Sequence, residues 1–141
     1  MSGIRGRGRR SDHDRYASQL MTTQERTWRS ITDDEVEVVR SIMAAVDTVD
    51  GAVLIEQLDG ALVRPSTAWI LEVKTLDSSK ASSLRDGPLP LRAYVPNSVT
   101  YQGEVIVWLT AGRVSGLEYA WVSDHPPTRW PRPEEIELVA E

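Results

Sequence analysis

The run from Gly103 to Asp124 is the longest stretch of strand-like sequence in the chain, and it constrains the fold more than any other feature. Residues 105–109 are β-branched, aromatic or long aliphatic types, a pattern typical of an interior strand. Further on, three large side chains share one parity and are expected on one face: Leu117, Tyr119 and Trp121. Gly112, between the two halves, can adopt the positive φ of a tight turn. The sequence therefore predicts a β-hairpin at the centre of a sheet.

A helix is predicted upstream of this hairpin. Thr32 and Glu35 have the spacing of a capping box, which satisfies two backbone N–H groups at a helix N-terminus. The residues after it place apolar side chains at 3.6-residue spacing: Val36, Val39, Ile42, Met43 and Val46. One face of this helix should pack on the sheet, and the segment from Asp47 to Gly51 is expected to end it.

The remaining strands are assigned from shorter patterns. Asp59 and Gly60 form a typical two-residue hairpin turn, so strands are predicted at Ala52–Leu58 and Ala61–Arg64 on either side. Thr67–Leu76 is predicted as a further strand after Pro65, and Leu91–Val95 as a short strand at an edge. The predicted fold class is α+β: one N-terminal amphipathic helix packed on a mainly antiparallel sheet of about six strands, in a single domain spanning residues 21–141.

The segment from Asp124 to Pro133, here called the proline arm, contains four prolines and should be extended and stiff. Trp130 in its middle is expected to fold back onto the sheet, because a bare indole is costly to expose. Glu134–Val139 fits either a short last strand or a helical turn.

Charge is distributed unevenly along the 141 residues. The first 20 residues hold five Arg and two Asp, which leaves 11 basic and 19 acidic side chains in the remainder. Such a basic leader is expected to be disordered, and Met21 is an alternative translation start. The leader could bind RNA or an anionic partner, but the acidic body disfavours general nucleic-acid binding.

The amino-acid composition bears on the expected cellular compartment and on where the aromatic residues lie. The chain has no Cys and no apolar run of membrane-spanning length, and its N-terminus lacks an apolar signal segment, so we expect a cytoplasmic protein with no membrane association. Five Trp and four Tyr occur with no Phe. Because Trp and Tyr carry a polar group on an apolar ring, several are expected to lie half-exposed at a groove or an interface.

Few residues indicate catalysis or metal binding. The two histidines, His13 and His125, are too few for a zinc site, and no nucleotide or hydrolase motif occurs, so no catalytic residue, cofactor or metal is predicted. Glu118, Asp124 and His125 could form a carboxylate–imidazole constellation, although Asp before His-Pro-Pro is more often a turn. Four carboxylates in predicted strands could together form an acidic patch: Glu56, Glu72, Glu104 and Glu118.

The last third of the chain, GEVIVWLTAGRVSGLEYAWVSDHPPTRWPRP, resembles the C-terminal segment of small uncharacterised bacterial α+β proteins. The resemblance implies a shared fold and carries no known activity. The size, acidity and Trp content are similar in type to immunity proteins of bacterial toxin systems.

Two functions are weighed on these grounds. The first is a non-enzymatic acidic protein-interaction module, either an immunity-type inhibitor of a basic partner or a homodimer. The second is a small-ligand-binding protein or minor enzyme with an aromatic cleft near Glu118 and His125. The predicted binding residues lie where the hairpin meets the proline arm: Glu118, Tyr119, Trp121, Asp124, His125 and Trp130.

Overall fold

The computed structural model describes residues 27–46, 49–96, 101–122 and 124–140. The predicted disordered leader, residues 1–20, lies outside the described residues. Within the described part the chain forms two α-helices and eight strands. The helices are α1 (Asp33–Ala44) and α2 (Val49–Gln57); the strands are β1 (Arg29–Ser30), β2 (Leu62–Thr67), β3 (Ile70–Lys74), β4 (Gly87–Pro88), β5 (Leu91–Pro96), β6 (Tyr101–Thr110), β7 (Arg113–Trp121) and β8 (Glu137–Ala140). A 3₁₀ turn, Pro133–Glu135, precedes β8.

The strands form one antiparallel sheet in the order β1-β2-β3-β7-β6-β5-β8. The short strand β4 lies off this path and also pairs with β6. The predicted hairpin is confirmed as β6 and β7, which occupy the middle of the sheet. Its turn uses positive φ at both Ala111 (54°) and Gly112 (77°), the backbone of the primed turns that match strand twist. The α+β antiparallel class is therefore confirmed, and the described residues form eight strands and two helices where about six strands and one helix were predicted.

The predicted strand at Ala52–Leu58 is wrong, because this segment lies mostly within α2. Its apolar run fits a buried helix as well as a strand, and Ala, Leu, Glu and Gln are good helix formers. Gly51 lies within α2 and permits close approach to α1, since a Cβ there would lie 2.8 Å from the Met43 carbonyl oxygen. Gly60, with φ of 78°, follows the helix C-terminus instead of turning a hairpin.

Two predicted strand positions also need correction. The strand at Leu91–Val95, expected at an edge, is covered on its outer side by β8, which pairs along Leu91–Tyr94. Pro65 lies inside β2, which continues to Thr67, and the register shifts between Pro65 and Thr67. The predicted strand at Thr67–Leu76 is therefore wrong at its start, since β3 spans only Ile70–Lys74. Both alternatives predicted for Glu134–Val139 occur, because a 3₁₀ turn at Pro133–Glu135 is followed by strand β8.

The hydrophobic core lies between the two helices and one face of the sheet. The α1 side chains Val38, Val39, Ile42 and Met43 are at most 1% exposed and join a single apolar cluster with the inner residues of the sheet. The predicted capping box is present, with the Thr32 hydroxyl accepting from the Glu35 N–H at 3.2 Å.

A bulge in the hairpin changes which side chains of β7 face the core. Trp108 pairs with Gly116 and Leu109 with Val114, which leaves Ser115 as an extra residue on β7. Val114 and Leu117 therefore both point into the core, at 2% and 1% exposure. Simple alternation had placed Val114 on the opposite face from Leu117.

The other face of the sheet carries no helix among the described residues. We call it the open face, and its side chains include Ile70, Ile106, Trp108 and Glu118. Trp108 is 36% exposed and Ile70 is 38% exposed. Among the described residues, the helices therefore cover only one of the two faces of the sheet.

Candidate functional site

The proline arm is held against the core face of the sheet by an aromatic cluster of Trp69, Tyr119 and Trp130. The Trp130 ring lies 5.9 Å from the Trp69 ring and 5.9 Å from the Tyr119 ring, and Trp69 and Tyr119 meet edge-to-face at 5.8 Å. Offset and edge contacts at these separations are favourable for aromatic rings. The predicted fold-back of Trp130 onto the sheet is therefore confirmed.

An ion pair between Arg129 and Glu135 links the proline arm to the 3₁₀ turn that follows it. Both terminal nitrogens of Arg129 donate to the Glu135 carboxylate, at 2.7 and 2.8 Å, and the Arg132 backbone N–H donates to it at 2.8 Å. The hydrogen bonds from Arg129, followed by that from Arg132, lower the pKa of Glu135 to about 2. Glu135 is therefore ionised throughout the neutral pH range.

A cleft of about 700 Å³ opens between the end of the hairpin and the arm. We call it the arm cleft. Its walls include Val95 from β5, Tyr119 and Trp121 from β7, His125 from the arm, and Ile136 beside the 3₁₀ turn. Proline rings of the arm, at positions 126, 127 and 131, form a further wall. Its size falls within the roughly 300–1,000 Å³ of typical ligand pockets.

The hairpin sequence shapes this end of the sheet. The register places Gly103 of β6 between Val95 of β5 and Trp121 of β7. A Cβ at Gly103 would collide with the Ala120 carbonyl oxygen and the Trp121 Cα, so only glycine allows this close strand approach. The predicted hairpin thus carries Trp121 to the rim with no side chain from β6 between it and Val95.

Tyr119 brings a hydroxyl group to the arm cleft. Tyr119 is 4% exposed and lines the cleft, yet within the described part of the chain its hydroxyl has no hydrogen-bond partner. Burial raises the pKa of Tyr119, the charge of Glu135 raises it further, and Arg129 opposes this. The phenol is therefore neutral and able both to donate and to accept a hydrogen bond.

Of the six predicted binding residues, the structure brings three together at the arm cleft: Tyr119, Trp121 and His125. Trp130 packs in the aromatic cluster and does not line the cleft. Asp124 is exposed and is not among the residues that line the cleft.

Glu118 lies on the opposite face of the sheet, because successive strand residues alternate. It accepts a hydrogen bond from the Trp108 indole N–H at 3.1 Å. The proposed constellation of Glu118 with His125 is therefore wrong, and so is the placement of Glu118 beside an aromatic cleft.

The expected acidic sheet patch is also corrected. Glu56 lies on α2, outside the sheet. On the open face, Glu72 pairs with Arg64 at 2.8 Å and Glu104 pairs with Arg92 at 2.7 Å. Since two of the three sheet carboxylates have a cationic partner, the open face has mixed charge.

Several residues of the site were missed in the sequence, above all Arg129, Glu134 and Glu135. Their ion pair and cleft position depend on how the arm folds back, which no local pattern reveals. One signal was present: Pro133 followed by two acidic residues is typical of the first turn of a helix.

Neither a metal centre nor a membrane segment emerges from the described residues. They contain no group of three or more His, Asp or Glu side chains placed to hold a metal ion. None of the helices among them has the length and apolar character needed to cross a bilayer.

No family model, curated protein or solved structure matches the chain. The resemblance of the last third to small bacterial proteins therefore stays a prediction, and functional inference rests on the geometry of the arm cleft and the open face.

Proposed function

We propose that the protein binds a small molecule in the arm cleft. The observation that carries the proposal is Tyr119, a buried residue that lines the cleft and whose hydroxyl has no hydrogen-bond partner among the described residues. Buried hydroxyls are almost always hydrogen-bonded, to protein or to an ordered water, and an exception calls for an explanation. A ligand reaching the cleft could supply the missing partner.

The walls of the cleft offer both apolar surface and polar groups. They are about equally polar and apolar, whereas typical ligand pockets are mostly apolar. Trp121, Ile136 and the arm prolines provide the apolar surface, while Tyr119, His125 and the carboxylates of the 3₁₀ turn provide polar groups. The arm is held in place by the aromatic cluster and the Arg129–Glu135 pair, so little ordering should be required on binding.

The proposal can be tested by ¹⁵N NMR, using the indole N–H signals of the Trp residues as reporters on each face. A library of small aromatic and aliphatic fragments should contain members that shift the Trp121 signal in a saturable manner and leave the Trp108 signal in place. Trp121→Ala should abolish this binding, whereas Trp108→Ala, an indole deletion on the open face, should preserve it. Saturable shifts confined to Trp108, or none at all, would contradict the proposal.

A second candidate is the protein-interaction module, and the exposed Trp108 and Ile70 on the open face favour it. Indole rings are common anchors of protein interfaces. The mixed charge of this face gives less support to a specifically basic partner, so the form that we propose is self-association. Sedimentation should then detect a dimer that Trp108→Asp dissociates and Trp121→Asp preserves. A protein that remains monomeric at the highest attainable concentration would rule out this form.

A further inference from the structure

The charge of the arm cleft indicates which ligands it would accept. Three carboxylates line the cleft, those of Glu134, Glu135 and Glu137, against the basic side chains of Arg129 and His125. The bidentate pair of Arg129 with Glu135 occupies both terminal nitrogens of the guanidinium. An incoming anion would have to compete with Glu135 for that cation, so the pair offers little attraction to anions.

Glu134 adds negative charge that is not offset in this way. No salt bridge among the described residues involves Glu134, which lies next to the Arg129–Glu135 pair along the chain and lines the same cleft. The lining carboxylates therefore outnumber the lining cations, although Arg132, which is not among the lining residues, places a further positive charge near Glu135.

The Tyr119 hydroxyl gives independent evidence for a ligand. It is buried, it lines the cleft and it lacks a partner in the described part of the chain. A neutral phenol oxygen can accept a hydrogen bond from an ammonium or guanidinium N–H. Its position near Glu135 and Arg129 is consistent with the effect of both charges on its pKa.

The third contribution comes from Trp121, which is 38% exposed at the rim. Indole has the most favourable ring face for a cation, and it also packs well against apolar groups. Together with the arm prolines and Ile136, it can hold the apolar part of a ligand while the carboxylates and the phenol face its charged group.

We propose that the arm cleft selects an organic cation, a primary ammonium or guanidinium group attached to an apolar body. The inference rests on the proposed function, since it specifies the chemistry of a ligand in the same cleft. The apolar body would lie against Trp121 and the prolines, and the cationic group would lie between Tyr119 and Glu134.

Three probes that share a phenylethyl body but differ in charge test this selection by calorimetry and NMR at neutral pH and low salt: 2-phenylethylamine, 2-phenylethanol and 3-phenylpropionate. The amine should bind about tenfold more tightly than the alcohol, and the carboxylate should bind most weakly. Glu134→Gln should weaken the amine about three- to fivefold and leave the alcohol unchanged, because only the amine loses a charge interaction. Glu118→Gln removes the same charge on the open face and should change neither.

The outcomes distinguish the selection of a cation from the proposed function of ligand binding on which it rests. If the alcohol or the carboxylate binds in the cleft as tightly as the amine, the cation selection is overturned and the arm cleft remains a ligand site. An equal loss of amine binding in Glu118→Gln and Glu134→Gln also overturns it. If none of the three probes binds, the cation inference fails, while the fragment library still decides the proposed function.

Discussion

Replacing Trp130 by alanine removes the indole that joins the proline arm to the sheet. The ring contacts two others in the aromatic cluster, Trp69 and Tyr119, each at 5.9 Å between centroids. Each aromatic pair of this kind is worth about 0.5–1.5 kcal/mol beyond area burial. Deletion of a fully buried Trp or Phe side chain costs about 3–5 kcal/mol. Since Trp130 is only partly buried, we expect a loss of about 2–3 kcal/mol in unfolding free energy.

Urea denaturation followed by circular dichroism measures this loss as a lower midpoint. The matched control is Trp121→Ala, which removes an indole from the rim of the arm cleft, outside the aromatic cluster. Trp121 is 38% exposed and has no ring partner among the described residues, so its deletion should cost less than about 1 kcal/mol. If Trp130→Ala also costs less than about 1 kcal/mol, or if both variants lose the same amount, the aromatic cluster does not anchor the arm.

Two further predictions concern a buried hydrogen bond and an exposed ion pair. Gln57 is fully buried and accepts a hydrogen bond from the Val114 N–H at 2.9 Å. Gln57→Leu should therefore lower the unfolding free energy by about 2–4 kcal/mol. As the control, Glu56→Leu on the exposed side of the same helix should change it by less than about 0.5 kcal/mol. Equal midpoints for the two variants in urea would contradict this. Arg129 lowers the pKa of Glu135 to about 2 from an ordinary value of 4.5, so the ion pair contributes stability above pH 4.5 that is lost as the pH falls toward 2. The difference in urea midpoint between the wild type and Glu135→Gln should therefore shrink from pH 6 to pH 2.5; a constant difference would show that the pair does not contribute.

The hairpin and the first helix could be predicted because their signals are local. Gly112 at the turn and the Thr32–Glu35 capping box each depend on residues within a few positions. Such elements follow from backbone geometry and hydrogen bonding alone.

Helix α2 could not be distinguished from a strand, because a short apolar run is compatible with either when both faces are buried. The deciding contacts are distant in sequence. Gln57 holds the Gly112 carbonyl at 3.1 Å and the Val114 N–H at 2.9 Å, which ties the end of α2 to the hairpin turn. These hydrogen bonds join residues more than 50 positions apart, so they are seen only in the folded structure.

The candidate site was predicted in part. Tyr119, Trp121 and His125 lie together because the rim of the hairpin is where the proline arm departs, as the sequence indicated. Glu118 was misplaced because its neighbour Tyr119 faces the core, so strand alternation directs Glu118 to the open face. The pairing of Arg129 with Glu135 depends on the fold-back of the arm and has no signature in the sequence.

The arm cleft is tested most directly by intermolecular NOEs between the protein and bound 2-phenylethylamine. We predict NOEs from the ring protons of the ligand to the side chains of Trp121 and Ile136, with none to Trp108. NOEs to Trp108, or a saturable complex that shows none to Trp121 or Ile136, would contradict the assignment of the arm cleft as the binding site.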